Sequence, residues 1–287
     1  MGSKKVIFKT LLYSDIFDYP LTKEEIWNYL VFDKKILKKD FLLNLKSEKA
    51  INQKDGFYFV KNREKLITIR KKRKKYSIEK IKKAKKIIYF LSLFPTVRMV
   101  GISGSLALNN CEENEDIDLF IITEAGTLWV TRFFLVVSLK LFGSYREKKS
   151  KLVKDKFCLN MLISKDCLRL SKGRRNLFSA HEIAQVVPVF SRESTYQDFI
   201  AENLWVRDYL PNFKARKPFF EKEERNSILI KGLKIFNTIL FRFQFAIMKK
   251  DITREEVSLG LAAFHPEDQS TRIIKEYKKR LKKYEKV

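Results

Sequence analysis

A Ser-Gly-Ser segment at residues 103–105 is followed by Asp-Ile-Asp at residues 116–118, and each segment adjoins an apolar run. The runs, residues 97–102 and 119–122, are typical of buried strands. Good helix formers follow Gly104 and Ser105, so we expect a helix N-terminus here, with free N–H groups that can bind an anion. Gly104 would let the backbone approach a phosphate, and the Ser105 hydroxyl would donate a hydrogen bond to it.

The two aspartates have the spacing of a shared metal site. Alternate residues of a strand point to the same face, so the Asp116 and Asp118 carboxylates should lie together while Ile117 enters the core. Two adjacent carboxylates repel each other unless a cation lies between them. Mg²⁺, or Mn²⁺ in its place, takes carboxylate and phosphate oxygens and is the expected cofactor. The pattern predicts a site for a nucleoside triphosphate with its metal.

This arrangement resembles the nucleotidyltransferase fold of the DNA polymerase beta superfamily, in which Gly-Ser precedes Asp-x-Asp on the next strand. Gly104, Ser105, Asp116 and Asp118 fill those positions. The resemblance implies an α+β fold, with a mixed sheet flanked by helices. It also implies Mg²⁺-dependent transfer of a nucleoside monophosphate, such as AMP from ATP, to a hydroxyl acceptor with release of pyrophosphate. The sequence does not choose the acceptor.

Members of that superfamily usually supply a third carboxylate from a later strand. The strand expected here, residues 157–164, contains no acid. Its polar face is predicted to hold Cys158, Asn160, Leu162 and Ser164. Asn160 could give the metal a neutral carbonyl ligand, but it could not act as a base. Asp155 and Asp166, just outside the strand, are alternative acids or ordinary turn residues.

Three regions are predicted along the chain. Residues 1–62 have the pattern of three helices and a hairpin, an order that resembles a winged helix. Such a module could contact DNA, another protein or the substrate. Residues 63–187 contain the motif and form the nucleotidyltransferase-like domain, and residues 188–287 are expected to form a domain of helices only. A helix near residues 176–185 carries His181, Glu182 and Gln185, which could face the nucleotide, the acceptor or only solvent.

The chain is strongly basic, with 60 Lys and Arg against 34 Asp and Glu and a net charge of +26. Such a charge attracts polyanions. Its densest source is an amphipathic helix around Arg70–Lys86, predicted to turn its cations outward and Ile78, Ile81 and Ala84 toward the core. Nucleic acid is therefore a candidate partner of this helix and of the winged-helix-like region, although a solvated lysine-rich surface has the same composition.

Residues 228–248 are long enough to span a bilayer, but Lys231, Lys234 and Arg242 would each cost about 2.5–3.5 kcal/mol near its centre. We therefore expect no integral membrane segment. A buried or partner-facing helix is favoured, and attachment to an anionic lipid surface is the alternative. The N-terminus lacks the apolar core of a signal peptide, which favours a cytoplasmic location.

Two other functions stay open at this point. One is a DNA-binding regulator with a catalytically weak transferase domain that senses nucleotide. The other is an antitoxin-type nucleotidyltransferase that acts on a protein partner. Both would use the same metal and nucleotide residues, so the motif does not separate them.

Overall fold

The structure is a computed structural model. Its central feature is a seven-stranded mixed sheet. The residues that the structure describes are 5–147, 150–222, 228–249, 256–263 and 268–285. The strands are β4 (Val97–Ile102), β5 (Ile117–Thr123), β6 (Phe157–Ser164), β7 (Val187–Arg192), β8 (Phe220–Lys222), β9 (Glu256–Val257) and β10 (Leu261–Ala263). Their order in the sheet is β8-β7-β4-β5-β6-β10-β9. The motif therefore lies on two central, antiparallel strands, β4 and β5, and the α+β class is confirmed.

Helices cover both faces of this sheet. They are α4 (Lys65–Leu91), α5 (Gly104–Ala107), α6 (Leu128–Leu141), α7 (Leu177–Gln185), α8 (Thr195–Glu202), α9 (Ile228–Met248) and α10 (Asp268–Glu285). Along β5, Leu119 and Ile121 join one buried cluster with residues of α4 and α6, whereas Phe120 and Ile122 join a second with residues of α7 and α8. Because residues of a strand alternate between faces, Asp118 lies on the α7 face.

The N-terminal region contains the three helices and the hairpin that the sequence predicts. Its elements are α1 (Val6–Asp15), β1 (Leu21–Thr22), α2 (Lys23–Asn28), α3 (Lys38–Ser47), β2 (Ile51–Lys54) and β3 (Phe57–Val60). The strands form an antiparallel sheet in the order β1-β3-β2. This region also contacts the motif loop, since the Tyr19 hydroxyl donates to the Leu108 carbonyl at 2.8 Å and Asn110 Nδ2 donates to the Phe17 carbonyl at 3.1 Å. It therefore supports the loop between β4 and β5.

The prediction that residues 188–287 form only helices is wrong. Strand β7 begins at Val187 and pairs antiparallel with β4, with Phe190 opposite Val100. Strands β8, β9 and β10 also come from this part of the chain, and β10 pairs with β6. The physical reason is that β4 and β6 need hydrogen-bonding partners at their outer edges. The predicted boundary between residues 187 and 188 falls inside a strand of the central sheet.

Helix α4 is the predicted basic helix, but part of its predicted orientation is wrong. Ile78 is 54% exposed, whereas Lys80 is only 4% exposed. Lys80 is buried because its ammonium donates to the Glu115 carbonyl at 2.6 Å and to Asp155 Oδ1 at 2.8 Å, which compensates its desolvation. Arg70 is also buried, paired with a glutamate of α2 and stacked on Tyr19. These two cations stabilise the fold instead of offering charge to a polyanion.

Helix α9 packs against α6. Neither it nor any other helix in the described parts of the chain combines the length and apolarity needed to cross a bilayer. The sequence predicts that this helix begins at Glu223 and ends at Met248, and residues 223–227 lie outside the described residues.

Candidate functional site

The turn between β4 and α5 depends on Gly104. Its φ is +63°, a conformation that L side chains rarely adopt, and an added Cβ would lie 2.7 Å from Asp118 Oδ2. The Ser103 amide donates to the Asp118 carbonyl at 3.0 Å, which holds the turn against β5. The sequence suggests phosphate as the reason for this glycine. The structure adds a second reason, the close approach of the Asp118 carboxylate.

The two predicted aspartates do lie together. Asp116 directly precedes β5, Asp118 is its second residue, and Ile117 between them is fully buried. Cys158 of β6 lies opposite Asp118 in the parallel register. One ligand atom from each of Asp116, Asp118 and Cys158 lies within 4.8 Å of the others, and we call these residues the acidic cluster. A thiol thus lies beside the two carboxylates, although the predicted ligand from this strand is Asn160.

Asn160 forms a β-bulge in β6. Leu159 is opposite Leu119 and Met161 is opposite Phe120, so Asn160 is the extra residue of the bulge, with no residue of β5 opposite it. Its side chain is buried, with Nδ2 3.5 Å from Ser103 Oγ. The bulge makes the predicted polar face wrong beyond residue 159, because Leu162 joins the apolar core. The contact with Ser103 joins Asn160 to the turn before Gly104, and its role as a metal ligand stays a prediction.

Arg146, from the segment between α6 and β6, neutralises part of the acidic cluster. Its Nε lies 3.0 Å from Asp116 Oδ2, and its Nη1 lies 3.5 Å from Cys158 Sγ. Burial, followed by the charge of Asp116, raises the pKa of Asp118 to about 7. Burial also raises the pKa of Asp116 and, together with the charge of Asp118, raises that of Cys158 to about 12. The cluster is short of positive charge even with Arg146 present.

Ser105 is engaged by a carboxylate of the chain itself. Its hydroxyl donates to Glu115 Oε2 at 2.6 Å, and the Glu112 amide donates to the same oxygen at 3.1 Å. Lys80 holds this loop through the Glu115 carbonyl. The donor predicted to bind a phosphate thus binds an anion, and a phosphate would have to displace the Glu115 side chain.

The two alternative acids do not belong to the acidic cluster found among the described residues. Asp155 forms ion pairs with Lys80 at 2.8 Å and Lys83 at 2.6 Å, which lower its pKa against the opposing effect of burial. Asp166 is exposed in a short 3-10 helix after β6. Both are explained by local structure.

A cavity of about 260 Å³ adjoins Gly104 and Ser105 and is walled by α7 and by the N-terminal region. All three polar residues singled out on α7 line it, together with Tyr13, Phe17, Tyr19, Tyr29 and Phe178. His181 stacks on Tyr13 with ring centroids 4.1 Å apart, and burial lowers its pKa to about 4, so it is neutral. Burial, then the charge of Asp118, raises the pKa of Glu182 to about 7. The cavity combines aromatic walls with two acids near the cluster, Glu182 and Glu115.

The residues present fit a divalent cation. Asp116 Oδ2 is buried and accepts no hydrogen bond, and its neighbour is the Arg146 guanidinium. Two carboxylates with converging oxygens suit Mg²⁺ or Mn²⁺, whereas a thiol is a poor ligand for Mg²⁺. Asp116 and Asp118 could therefore hold the ion, with Cys158 beside it.

Sequence patterns do not indicate Arg146, because it lies in a connecting segment with no periodic pattern. Cys158 is on the face of β6 that the sequence predicts, but the sequence does not indicate it as a ligand. Its position opposite Asp118 follows from strand register, which two separate apolar runs do not specify.

The fold and the site define a mixed α+β protein with an acidic cluster beside a glycine turn. Comparison of the chain with known protein families, curated protein sequences and solved structures found no match.

Proposed function

We propose that this protein is a nucleotidyltransferase dependent on Mg²⁺ or Mn²⁺, which moves a nucleoside monophosphate, AMP from ATP, to a hydroxyl acceptor and releases pyrophosphate. The observation that carries the proposal is the convergence of Asp116 and Asp118 directly against the turn at Gly104. This places candidate metal ligands beside a loop suited to phosphates.

In this proposal, some residues of the site bind the metal and others bind the phosphates. Asp116 and Asp118 would hold the cation, which when bound supplies positive charge against the charge that develops on the phosphates. The turn at Gly104 and Ser105 would bind phosphate oxygens once the Glu115 side chain has moved aside. Arg146, released from Asp116, would donate charge-assisted hydrogen bonds to the triphosphate.

The cavity beside the cluster is the proposed acceptor site. The acceptor oxygen attacks the α-phosphorus in line, the bond to pyrophosphate breaks, and the hydroxyl proton passes to the Glu182 carboxylate. Glu182 suits this role because it lines the cavity and its pKa of about 7 is matched to a base at neutral pH. The aromatic walls, with Tyr13 and Tyr19 among them, favour an acceptor with a planar group.

Labelled ATP tests the proposed reaction. Incubation with Mg²⁺ or Mn²⁺, cell extract and ATP labelled at the α-phosphate should move the label to an acceptor and release pyrophosphate. ATP labelled at the γ-phosphate should transfer nothing, because that phosphate leaves in pyrophosphate. Transfer of the γ label alone would identify a kinase and contradict the proposal.

The Cys158→Asp variant tests the metal site without relying on turnover. A third carboxylate opposite Asp118 should lower the melting temperature of the metal-free protein, because like charges repel. Mg²⁺ should then raise the melting temperature by more than in the wild type, with an affinity about tenfold higher. Cys167→Asp, at an exposed cysteine outside the cluster, is the matched control and should respond to Mg²⁺ like the wild type. Equal Mg²⁺ responses in both variants would count against a metal at the cluster.

A nucleotide-sensing regulator is the second candidate. It is favoured by Cys158 at the place of a third carboxylate and by the anion site that Glu115 already fills. Nucleotide binding without α-label transfer, together with duplex DNA affinity that falls steeply with salt, would support this function. Transfer of the α label to a co-purified protein would instead support the antitoxin-type enzyme.

A further inference from the structure

Helix α9 packs Leu240, Phe241 and Met248 against the core, yet it also exposes large apolar side chains and buries two amides. The amide side chains of Asn237 and Gln244 are only 5% and 6% exposed. On its outer side Ile235, Ile239 and Ile247 are 73%, 63% and 61% exposed, and the two phenylalanines Phe236 and Phe243 are each 56% exposed. In water a helix normally buries such side chains against the core. The outer side of α9 is therefore suited to an apolar environment outside the fold.

Hydrogen bonds fix this orientation of α9 on α6. Asn237 Oδ1 accepts from the Trp129 amide at 2.8 Å, and Gln244 Nε2 donates to the Trp129 carbonyl at 2.8 Å. Arg132 Nη1 donates to Gln244 Oε1 at 2.6 Å. Rotating the helix to bury its outer isoleucines would turn both amides to solvent and leave the buried Trp129 N–H without its acceptor, at a cost of about 1–3 kcal/mol. The apolar face stays outward because the polar groups of the inner face already form hydrogen bonds with α6.

The exposed apolar residues form one continuous face with a row of cations along one edge. At 3.6 residues per turn, the arc from Ile235 to Ile247 spans about 120° of the helix. The exposed side chains Lys231, Arg242 and Lys249 follow the Ile235 edge of that arc. A helix with this division has the pattern of one that lies in the plane of a lipid interface.

The positive charge of the chain and of α9 indicates which kind of partner would bind the apolar face of this helix. The chain carries a net charge of +26, so a second copy would bring two cationic rows and two strongly positive molecules together. Nucleic acid would match the cations but offers no partner for five exposed apolar side chains. A bilayer with anionic headgroups above its acyl chains matches both parts.

We propose that α9 docks the protein on an anionic lipid bilayer. The five exposed apolar side chains, Ile235, Phe236, Ile239, Phe243 and Ile247, enter the boundary between headgroups and acyl chains. Lys231, Arg242 and Lys249 bind the headgroups. This interaction is independent of the proposed transfer reaction, and it would place that reaction at a membrane surface.

Sedimentation of the full chain with vesicles tests the proposal. The protein should bind vesicles of phosphatidylserine mixed with phosphatidylcholine and bind pure phosphatidylcholine at least tenfold more weakly. The Ile235→Ser, Ile239→Ser variant should lose about tenfold or more of the affinity for the mixed vesicles, because two apolar side chains no longer enter the interface. Both changes are at exposed positions, so the melting temperature should not fall.

A matched variant distinguishes binding through α9 from nonspecific hydrophobic binding to vesicles. Leu37→Ser with Leu43→Ser removes two apolar side chains of similar exposure, 72% and 58%, near α3 and should leave vesicle binding unchanged. Equal losses in the two double variants, or equal binding to both vesicle types, would overturn the proposal. So would self-association, or binding to an acidic protein, that depends on Ile235 and Ile239 in the absence of vesicle binding.

Discussion

The Asp116→Ala, Asp118→Ala variant is expected to lose cation-dependent nucleotide transfer by at least about 10³-fold. Both carboxylates converge on one point with Cys158, so removing them removes the proposed ligands of the cation. The fold should not suffer, because burial of two like charges already raises the pKa of Asp118. Transfer of the α label measures the loss of activity. Thermal unfolding without Mn²⁺ shows whether the fold is intact. Thermal unfolding with Mn²⁺ shows whether the cation still binds, and we expect no Mn²⁺-dependent rise in melting temperature.

A second double variant provides the control. Asp166→Ala with Asp208→Ala removes two exposed carboxylates outside the cluster and should retain transfer and the Mn²⁺ response. If the cluster variant kept its activity, the assignment of the motif would be wrong. If both variants lost activity equally, the effect would belong to net charge and not to the site.

Gly104→Ala is expected to weaken Mn²⁺ binding about tenfold or more and to reduce the free energy of unfolding. Two causes add at this position. An L residue at the glycine φ of +63° costs about 1–2 kcal/mol, and the new Cβ would meet Asp118 Oδ2 at 2.7 Å. The carboxylate must move to relieve that overlap, which displaces a proposed ligand. Denaturant unfolding and Mn²⁺ titration measure the two effects.

Gly143→Ala separates the backbone cost from the contact. Gly143 has a similar φ of +58°, but nothing lies within 4 Å of the position of an added Cβ. It should therefore show the backbone penalty and normal Mn²⁺ affinity. Equal Mn²⁺ affinities in the two alanine variants would show that the approach of Gly104 to Asp118 is unimportant for the site.

The acidic motif could be predicted because its geometry is local. Two aspartates separated by one residue share a face of any strand, and Ile117 is buried between them as expected. The third member of the cluster could not be found in this way. Cys158 joins it through the pairing of β6 with β5, and the bulge at Asn160 changes the direction of every later side chain in β6.

The C-terminal strands escaped prediction for a different reason. Strands β8, β9 and β10 have only two or three residues each, which is too short for an alternating pattern to appear. Strand β7 contains Pro188, a residue that normally interrupts pairing, next to the point where its register against β4 shifts. Helices such as α3 and α4 were found because their period repeats over several turns.

The pairing of β7 with β4 limits how this protein can be divided or recombined. Beyond the strand pairing, Arg192 Nη2 donates to the Ser92 carbonyl at 3.2 Å, which joins the end of β7 to the end of α4. A fragment that stops at residue 187 would keep the whole motif, yet it would leave one edge of its central strand open to other chains. The motif therefore folds as part of a unit that extends beyond residue 187, and transferring residues 63–187 alone into another protein would not preserve that fold.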